Sequence, residues 1–287
     1  HQACHVRMAT LATQRTPSEL KRIPWYEDAA VAVGAAITSA TSAAPFILTI
    51  DRAVVQAMAG QQTLTRALLT GFTNLIRRPH HLFAQLGFWM TAGVYSATYL
   101  TANLIDVACE RTLDPTDPKS AYVRGSAKLL GTTAVNMSSG VAKDAAFARM
   151  FGAAASSASP TPLATYALFA FRDVLTIGAG FTAPPLLAAA LVSGGSIRAA
   201  EAAAAAQILS PMGMQCICTP VHLLALSMYN MPLASALERA RDVGKTLPQA
   251  TAARMFRFCV AYGAGGLMNK CLSNCGRDYV MTRKDQW

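Results

Sequence analysis

Charged residues are scarce in this chain. Lys, Arg, Asp and Glu make up 14% of its 287 residues, against about 25% in a typical soluble domain. Five long windows contain none of these four residue types: 29–50, 82–105, 150–171, 174–197 and 202–237. A soluble amphipathic helix needs a polar face, whereas about 20 apolar residues cross the hydrocarbon of a bilayer. The sequence therefore predicts a polytopic membrane protein.

The mean hydropathy of +0.30 is modest for such a protein. The uncharged windows are rich in Ala, Gly, Ser and Thr, and small residues let membrane helices approach one another closely. A large soluble helical protein with a buried centre is the alternative. So many consecutive helices without a wettable face argue against it.

Signals of other protein classes are also missing. No serine, cysteine or carboxylate has a base at a recognisable spacing, and no phosphate-binding glycine loop occurs, so we predict neither an enzyme nor a bound cofactor. The basic residues form no stripe interleaved with aromatics, which argues against a nucleic-acid partner. Cys216, Cys218, Cys271 and Cys275 could supply four thiolates to zinc. The first two lie inside an apolar span, where cysteines are ordinary, and we predict no metal site.

The net charge of +10 is unevenly placed. Residues 57–81 hold three arginines and no acid, whereas residues 106–119 hold four acids and two bases. Basic loops face the side from which a membrane protein is inserted, so we expect these two segments on opposite faces. Residues 1–22 hold four basic residues and one acid. They resemble the remnant of a mitochondrial presequence, although a cytoplasmic tail would have the same composition.

Proline and glycine punctuation divides the chain into six candidate spans in three pairs: 27–57, 81–109, 120–150, 163–191, 201–229 and 251–280. Two amphipathic stretches, 63–76 and 233–247, follow the first and fifth spans. The unit recurs after about 80–95 residues, and internal repeats are typical of transporter folds. We divide the chain accordingly into an N-terminal extension and three repeats: 1–26, 27–118, 119–200 and 201–287.

A short motif recurs near the ends of the odd-numbered spans. It comprises Pro45, Asp51 and Arg52 in the first repeat, Lys143 and Asp144 in the second, and Pro220 and His222 in the third. This pattern resembles a degraded signature of the mitochondrial carrier family, in which a proline is followed by an acid and then a base. The resemblance implies an all-α membrane protein of the inner mitochondrial membrane. It would have six transmembrane helices in three pseudo-repeats, with short amphipathic matrix helices and kinks near Pro45 and Pro220.

The even-numbered spans carry a second part of the resemblance. Arg172 and Asp173 resemble the Arg-Asp pair that carriers place at the level of substrate contact, and Arg257 and Trp89 fall at the equivalent depth in the sixth and second spans. Charges inside a membrane signal function by default. The alternative is that Asp173 neutralises Arg172 and that Arg257 extends to the membrane surface.

The gate motifs depart from the carrier pattern. Val54, Phe147 and Ala225 stand where the carrier motif has its bases, so no complete ring of three ion pairs can be written. Ion pairs in a desolvated vestibule drive alternating access, because an unpaired charge there is costly. We therefore predict an accessory subunit of a respiratory-chain or ATP synthase assembly. Its partners would be the other subunits of that assembly and the lipid bilayer, with cardiolipin as a candidate lipid. The alternative function is transport of a small anionic metabolite, a carboxylate or a nucleotide.

Overall fold

A computed structural model describes residues 23–114, 116–152, 162–194 and 198–284. The regular structure of these residues is helical, and no strand occurs among them. Two stretches, Trp25–Met58 and Glu201–Asn230, are long and apolar enough to cross a membrane by length and composition. The predicted N-terminal extension lies almost entirely outside the described residues. The all-α class is confirmed, whereas the six-span, three-repeat arrangement is not.

Long helices dominate the described chain. In chain order the helices are α1 (Trp25–Met58), α2 (Leu64–Arg77), α3 (His80–Phe83), α4 (Leu86–Thr112), α5 (Pro118–Phe151), α6 (Leu163–Ser193), α7 (Ala199–Gly213), α8 (Gln215–Asn230), α9 (Ala236–Phe258) and α10 (Gly266–Lys284). Helices α7 and α8 meet at Met214. A π-helical segment, Cys259–Gly265, joins α9 to α10.

The helices form a closed ring of six rods. Each rod packs against the next in the order α1, α4, α5, α6, α7–α8 and α9–α10, and α10 returns to α1. Short amphipathic α2 packs against the C-terminal half of α1, where Gly71 lies against the side chain of Thr49. The ring therefore has one interior that all six rods can line.

Small residues set the spacing of the rods. Ala36, Ala40 and Ala44 recur at every fourth position of α1, share one face, and are fully buried. Gly276 of α10 lies so close to α1 that an added Cβ would come within 2.6 Å of a Val31 methyl. Alanine and glycine are poor sources of hydrophobic burial, but they allow the close backbone approach that packs helices within a membrane.

The predicted boundaries agree with the observed helices in most places. The predicted amphipathic stretch 63–76 corresponds to α2, which begins after Thr63, whose hydroxyl accepts a hydrogen bond from the Arg66 amide. The second amphipathic stretch is different, because it is not a separate helix. Its residues form the first part of α9. A capping box between Ser235 and Glu238 lies at the start of this helix, which continues through Pro248. The backbone and hydroxyl of Ser235 lower the pKa of Glu238 by donating hydrogen bonds to its carboxylate.

Two prolines at predicted kinks lie inside helices, and the kinks themselves stay a prediction. Helix α1 runs through Pro45 and α8 runs through Pro220 without a break. A proline removes only one intrahelical hydrogen bond, and neighbouring helices compensate for that loss inside a bundle.

The two segments of opposite charge lie at opposite ends of the ring. Helix α2 follows the C-terminus of α1, whereas Arg111, near the end of α4, bonds to Asp28 in the first turn of α1. Helix α1 has 34 residues and is about 50 Å long at 1.5 Å per residue. The arrangement agrees with the charge argument from the sequence.

Candidate functional site

The ring interior holds a cluster of charged side chains near the end where α1 meets α2. We call it the inner cluster; it comprises Asp51, Lys143, Asp144, Arg172, Asp173, His222, Arg254 and Arg257, all of them buried. Four of its members are cations and three are carboxylates. They come from α1, α5, α6, α8 and α9, so five of the six rods contribute.

Asp51 of α1 bonds to two cations from other rods. It accepts a hydrogen bond from Lys143 Nζ at 2.6 Å and one from Arg257 Nη1 at 3.1 Å. Lys143 also pairs with its neighbour Asp144 at 2.9 Å. One carboxylate thus joins three rods of the ring.

Arg172 of α6 continues the network. Its Nη2 lies 2.5 Å from Asp144 Oδ2 and 2.9 Å from Asp173 Oδ1. His222 of α8 lies beside it, with Nδ1 3.5 Å from Arg172 Nη1. Buried charges are tolerated only when they are paired and hydrogen-bonded, and these pairs meet that requirement for three of the four cations.

Arg254 is the cation without a carboxylate partner among the described residues. Its side chain is 1% exposed, its Nε donates to the Gln215 amide oxygen at 3.2 Å, and its Nη2 has no hydrogen-bond partner. Arg172 Nε, Arg257 Nε and Asp173 Oδ2 are also buried without a partner. An unsatisfied buried polar group costs about 1–3 kcal/mol. The cluster therefore contains several unused donors and one unused carboxylate oxygen.

A small cavity of about 30 Å³ lies against the inner cluster. Its lining adds uncharged polar groups from the middle of the ring, among them Tyr95, Asn136, Thr176 and Tyr262. A volume of this size accommodates water but not an amino acid. In this conformation the ring is therefore closed around its charges.

A second group of ion pairs lies at the other end of the ring. We call it the terminal layer; it comprises Glu27, Asp28, Asp106, Glu110, Arg111, Arg124, Lys128, Arg277 and Arg283. Asp28 accepts from Arg277 Nε at 2.7 Å and from Arg111 Nη2 at 3.0 Å. Asp28 and Asp51 are 23 residues apart on α1, or about 35 Å. The interior is bounded by charged networks at two separate depths.

The structure brings together most of the residues predicted as a site. Arg172, Asp173 and Arg257 lie in the inner cluster with the motif residues Asp51, Lys143, Asp144 and His222. Arg257 is buried, donates a hydrogen bond to Asp51 and does not extend to the surface. Asp173 pairs with Arg172, in agreement with the alternative that Asp173 neutralises this arginine. Arg172 also binds Asp144.

Trp89, Arg52, Pro45 and Pro220 lie outside the cluster. Trp89 is 55% exposed and donates its indole N–H to the Phe83 carbonyl. Its neighbour Phe88 is fully buried, and successive helical residues point about 100° apart, so Trp89 points out of the ring. Arg52 also points away from Asp51, and its guanidinium carbon lies 5.0 Å from the centre of the Phe151 ring.

We expected a network that lacks bases for its carboxylates, but in the structure Asp51 and Asp144 are both paired with bases. The bases missing at Val54, Phe147 and Ala225 are supplied from other positions, namely Lys143, Arg172 and Arg257. Long basic side chains reach carboxylates on neighbouring rods, so a fixed spacing after each acid is not needed. Arg254 and the polar lining residues were not among the predicted site residues. For Arg254 the signal in the sequence is its position three residues before Arg257 on one helix face.

A ring of helices around a buried charged centre fits a membrane protein of the transporter type. Comparison with known proteins adds the family. Residues 35–275 match the family model described as Citrulline_exp, probable citrulline exporter. The match covers most of the chain, so the chain belongs to this family. No curated protein and no solved structure matches it.

This match corrects the predicted family. Membership of the mitochondrial carrier family is wrong, because the matching model is that of the probable citrulline exporters and no carrier model matches. The short motifs around Asp51, Asp144 and His222 were too degenerate to separate two families of helical membrane proteins. The accessory-subunit hypothesis has no support from the comparison, which favours the alternative of a transporter.

Proposed function

We propose that this chain transports citrulline, or an amino acid of the same zwitterionic type, across a membrane, and that the inner cluster is where the solute binds. The family description supports export of citrulline. The observation that carries the proposal is the pair of unused groups in the cluster: a buried guanidinium on Arg254 and a free carboxylate oxygen on Asp173.

The chemistry of the solute fits these groups. Citrulline has an α-carboxylate, an α-ammonium group and an uncharged ureido group. A guanidinium binds a carboxylate through two parallel hydrogen bonds, and a carboxylate oxygen accepts from an ammonium group. The ureido group needs neutral donors and acceptors, which the tyrosines, Asn136 and Thr176 around the cavity supply. The four cations and three carboxylates leave one excess positive charge for the solute carboxylate.

Six membrane spans are part of this proposal. Every rod of the ring contains at least 27 residues, more than the 20 or so that cross the hydrocarbon. Among the residues that the structure describes, two stretches are apolar enough to qualify by composition. The others contain polar residues of the interior, such as Asn136 and Lys143 on α5, and a helix facing a polar interior can carry such residues within a membrane.

Transport requires the two charged layers to separate in turn. Both the inner cluster and the terminal layer are paired in the described conformation, and the cavity between rods is too small for the solute. Parting α1 from α5 and α9 at Asp51 would open one end, and parting α1 from α4 and α10 at Asp28 would open the other. Location in the inner mitochondrial membrane remains a prediction from the basic composition of residues 1–22.

We expect Arg254→Gln to slow citrulline transport at least about tenfold, because a hydrogen bond to a charged group contributes about 1.5–3 kcal/mol. The measurement is efflux of radiolabelled citrulline from liposomes that contain the purified chain. Arg241→Gln is the matched control, since Arg241 is an exposed arginine on the same helix. It should leave the rate within about twofold.

The same liposome assay shows which of the possible solutes is transported. Ornithine, malate and ADP are loaded in parallel with citrulline. Efflux of malate or ADP without citrulline would favour the anionic solutes considered from the sequence. Citrulline efflux equal to that of protein-free liposomes, or equal rates for the Arg254 and Arg241 variants, would refute the proposed site or solute.

A further inference from the structure

A second cavity, larger than the one against the inner cluster, lies outside the ring interior. We call it the lateral pocket; it has a volume of about 300 Å³ and lies between the C-terminal half of α1, α2, α3 and the start of α4. This volume is at the lower end of the range for small-molecule sites. No member of the inner cluster lines it, because Asp51 and Arg52 are adjacent on α1 and point about 100° apart.

The lining of the lateral pocket is basic. Arg52, Arg78 and His81 contribute to it, and no Asp or Glu is among its lining residues. Arg52 is partly buried, yet within the described chain it has no carboxylate partner. Its contacts are one long hydrogen bond to Gln85, at 3.4 Å, and the face of the Phe151 ring. The cations of the inner cluster, in contrast, are mostly paired with acids.

Neutral donors complete the lining. Gln56, Gln62, Asn74 and Gln85 carry amide groups, and Thr49 and Thr70 carry hydroxyls. Gln62 already donates to Gln56 at 3.1 Å. Apolar side chains of Leu48, Leu75 and Leu82 cover the rest of the wall. The pocket therefore combines two guanidiniums, neutral hydrogen-bond donors and a hydrocarbon surface.

We propose that the lateral pocket binds a phosphate group, held by Arg52 and Arg78. Planar guanidiniums match the oxygen geometry of phosphate and bind it through paired hydrogen bonds. The basic helix α2 belongs to the charged end of the ring, where it would meet either phospholipid headgroups or soluble phosphates. The leucines of the wall accommodate the first carbons of an acyl chain in the first case. The proposal does not depend on which solute the inner cluster carries.

The test is ligand-dependent thermal unfolding of the full chain in a neutral detergent. One arm adds inorganic phosphate, and the other adds phosphatidylglycerol, with diacylglycerol as its phosphate-free counterpart. A ligand that binds the folded state raises the unfolding temperature with its concentration, which gives a dissociation constant for each variant. We expect Arg52→Gln and Arg78→Gln each to weaken binding about tenfold or more.

Arg66→Gln is the matched control. Arg66 lies on the same helix, α2, is exposed, and does not line the pocket, so its substitution should change binding less than about twofold. Arg78 is also exposed, and its variant is expected to fold even if Arg52→Gln does not. Binding of phosphate alone would identify a soluble ligand, and binding of phosphatidylglycerol but not diacylglycerol would identify a lipid. The proposal fails if neither probe binds, or if Arg66→Gln weakens binding as much as Arg78→Gln.

Discussion

Replacing Asp144 with asparagine is expected to lower the free energy of unfolding by about 3–5 kcal/mol, the usual cost of removing one partner from a buried ion pair. Asp144 bonds to Lys143 and to Arg172, and all three side chains are buried. The substitution leaves four buried cations with two carboxylates. Thermal unfolding in detergent, followed by the near-ultraviolet signal of the buried aromatics, measures the loss.

A double substitution separates this cause from a general packing defect. Asp144→Asn combined with Arg172→Gln removes one charge of each sign, and it should be less destabilised than the sum of the two single variants. Glu201→Gln is the surface control, because Glu201 pairs with exposed Arg198 on one helix turn, and it should cost less than about 1 kcal/mol. Strict additivity of the Asp144 and Arg172 substitutions would contradict the ion-pair explanation.

The second large effect is expected at the opposite end of the ring. Asp28→Asn should destabilise the folded chain by about 3 kcal/mol or more, since Asp28 is 1% exposed and holds Arg111 and Arg277 from two other rods. Without this carboxylate the two guanidiniums repel one another across the junction of α1, α4 and α10. The same thermal unfolding measurement in detergent applies.

The neighbouring residue provides a matched control for Asp28. Glu27 pairs with Arg283, whose side chain is half exposed, and solvent-exposed pairs contribute little. Glu27→Gln should therefore cost less than about 1 kcal/mol. If the two substitutions have the same small effect, the terminal layer does not hold the rods together. If Asp28→Asn also speeds citrulline leakage through the liposome membrane, the terminal layer is a barrier to the solute.

Helix positions were largely predictable from the sequence because they depend on local patterns. The uncharged window 29–50 corresponds to the middle of α1, and the apolar spacing of 63–76 corresponds to α2. Arg172 and Asp173 were singled out because they resemble the Arg-Asp pair of carriers and because charges inside a membrane signal function. Each of these signals is contained within a few turns of helix.

The pairing of charges was not predictable in the same way. Asp51 and Lys143 are 92 positions apart, and Asp51 and Arg257 are 206 positions apart. No local spacing encodes these contacts, which depend on the order of rods in the ring. The direction of Trp89 was missed for a related reason, because membrane depth alone does not determine which side of a helix faces the interior. The lateral pocket likewise depends on how α2 folds back on α1.

The π-helical segment between α9 and α10 determines the direction in which the side chains of α10 point. Arg257 and Arg277 are 20 positions apart, and at about 100° per residue an uninterrupted α-helix would place them about 200° apart on its circumference. Yet both bond to aspartates of α1, Arg257 to Asp51 and Arg277 to Asp28. The π segment accommodates more residues per turn, so it rotates the following half of the rod back toward α1. An analysis with a single helical period would assign the two halves to different environments, whereas both contribute to one interface.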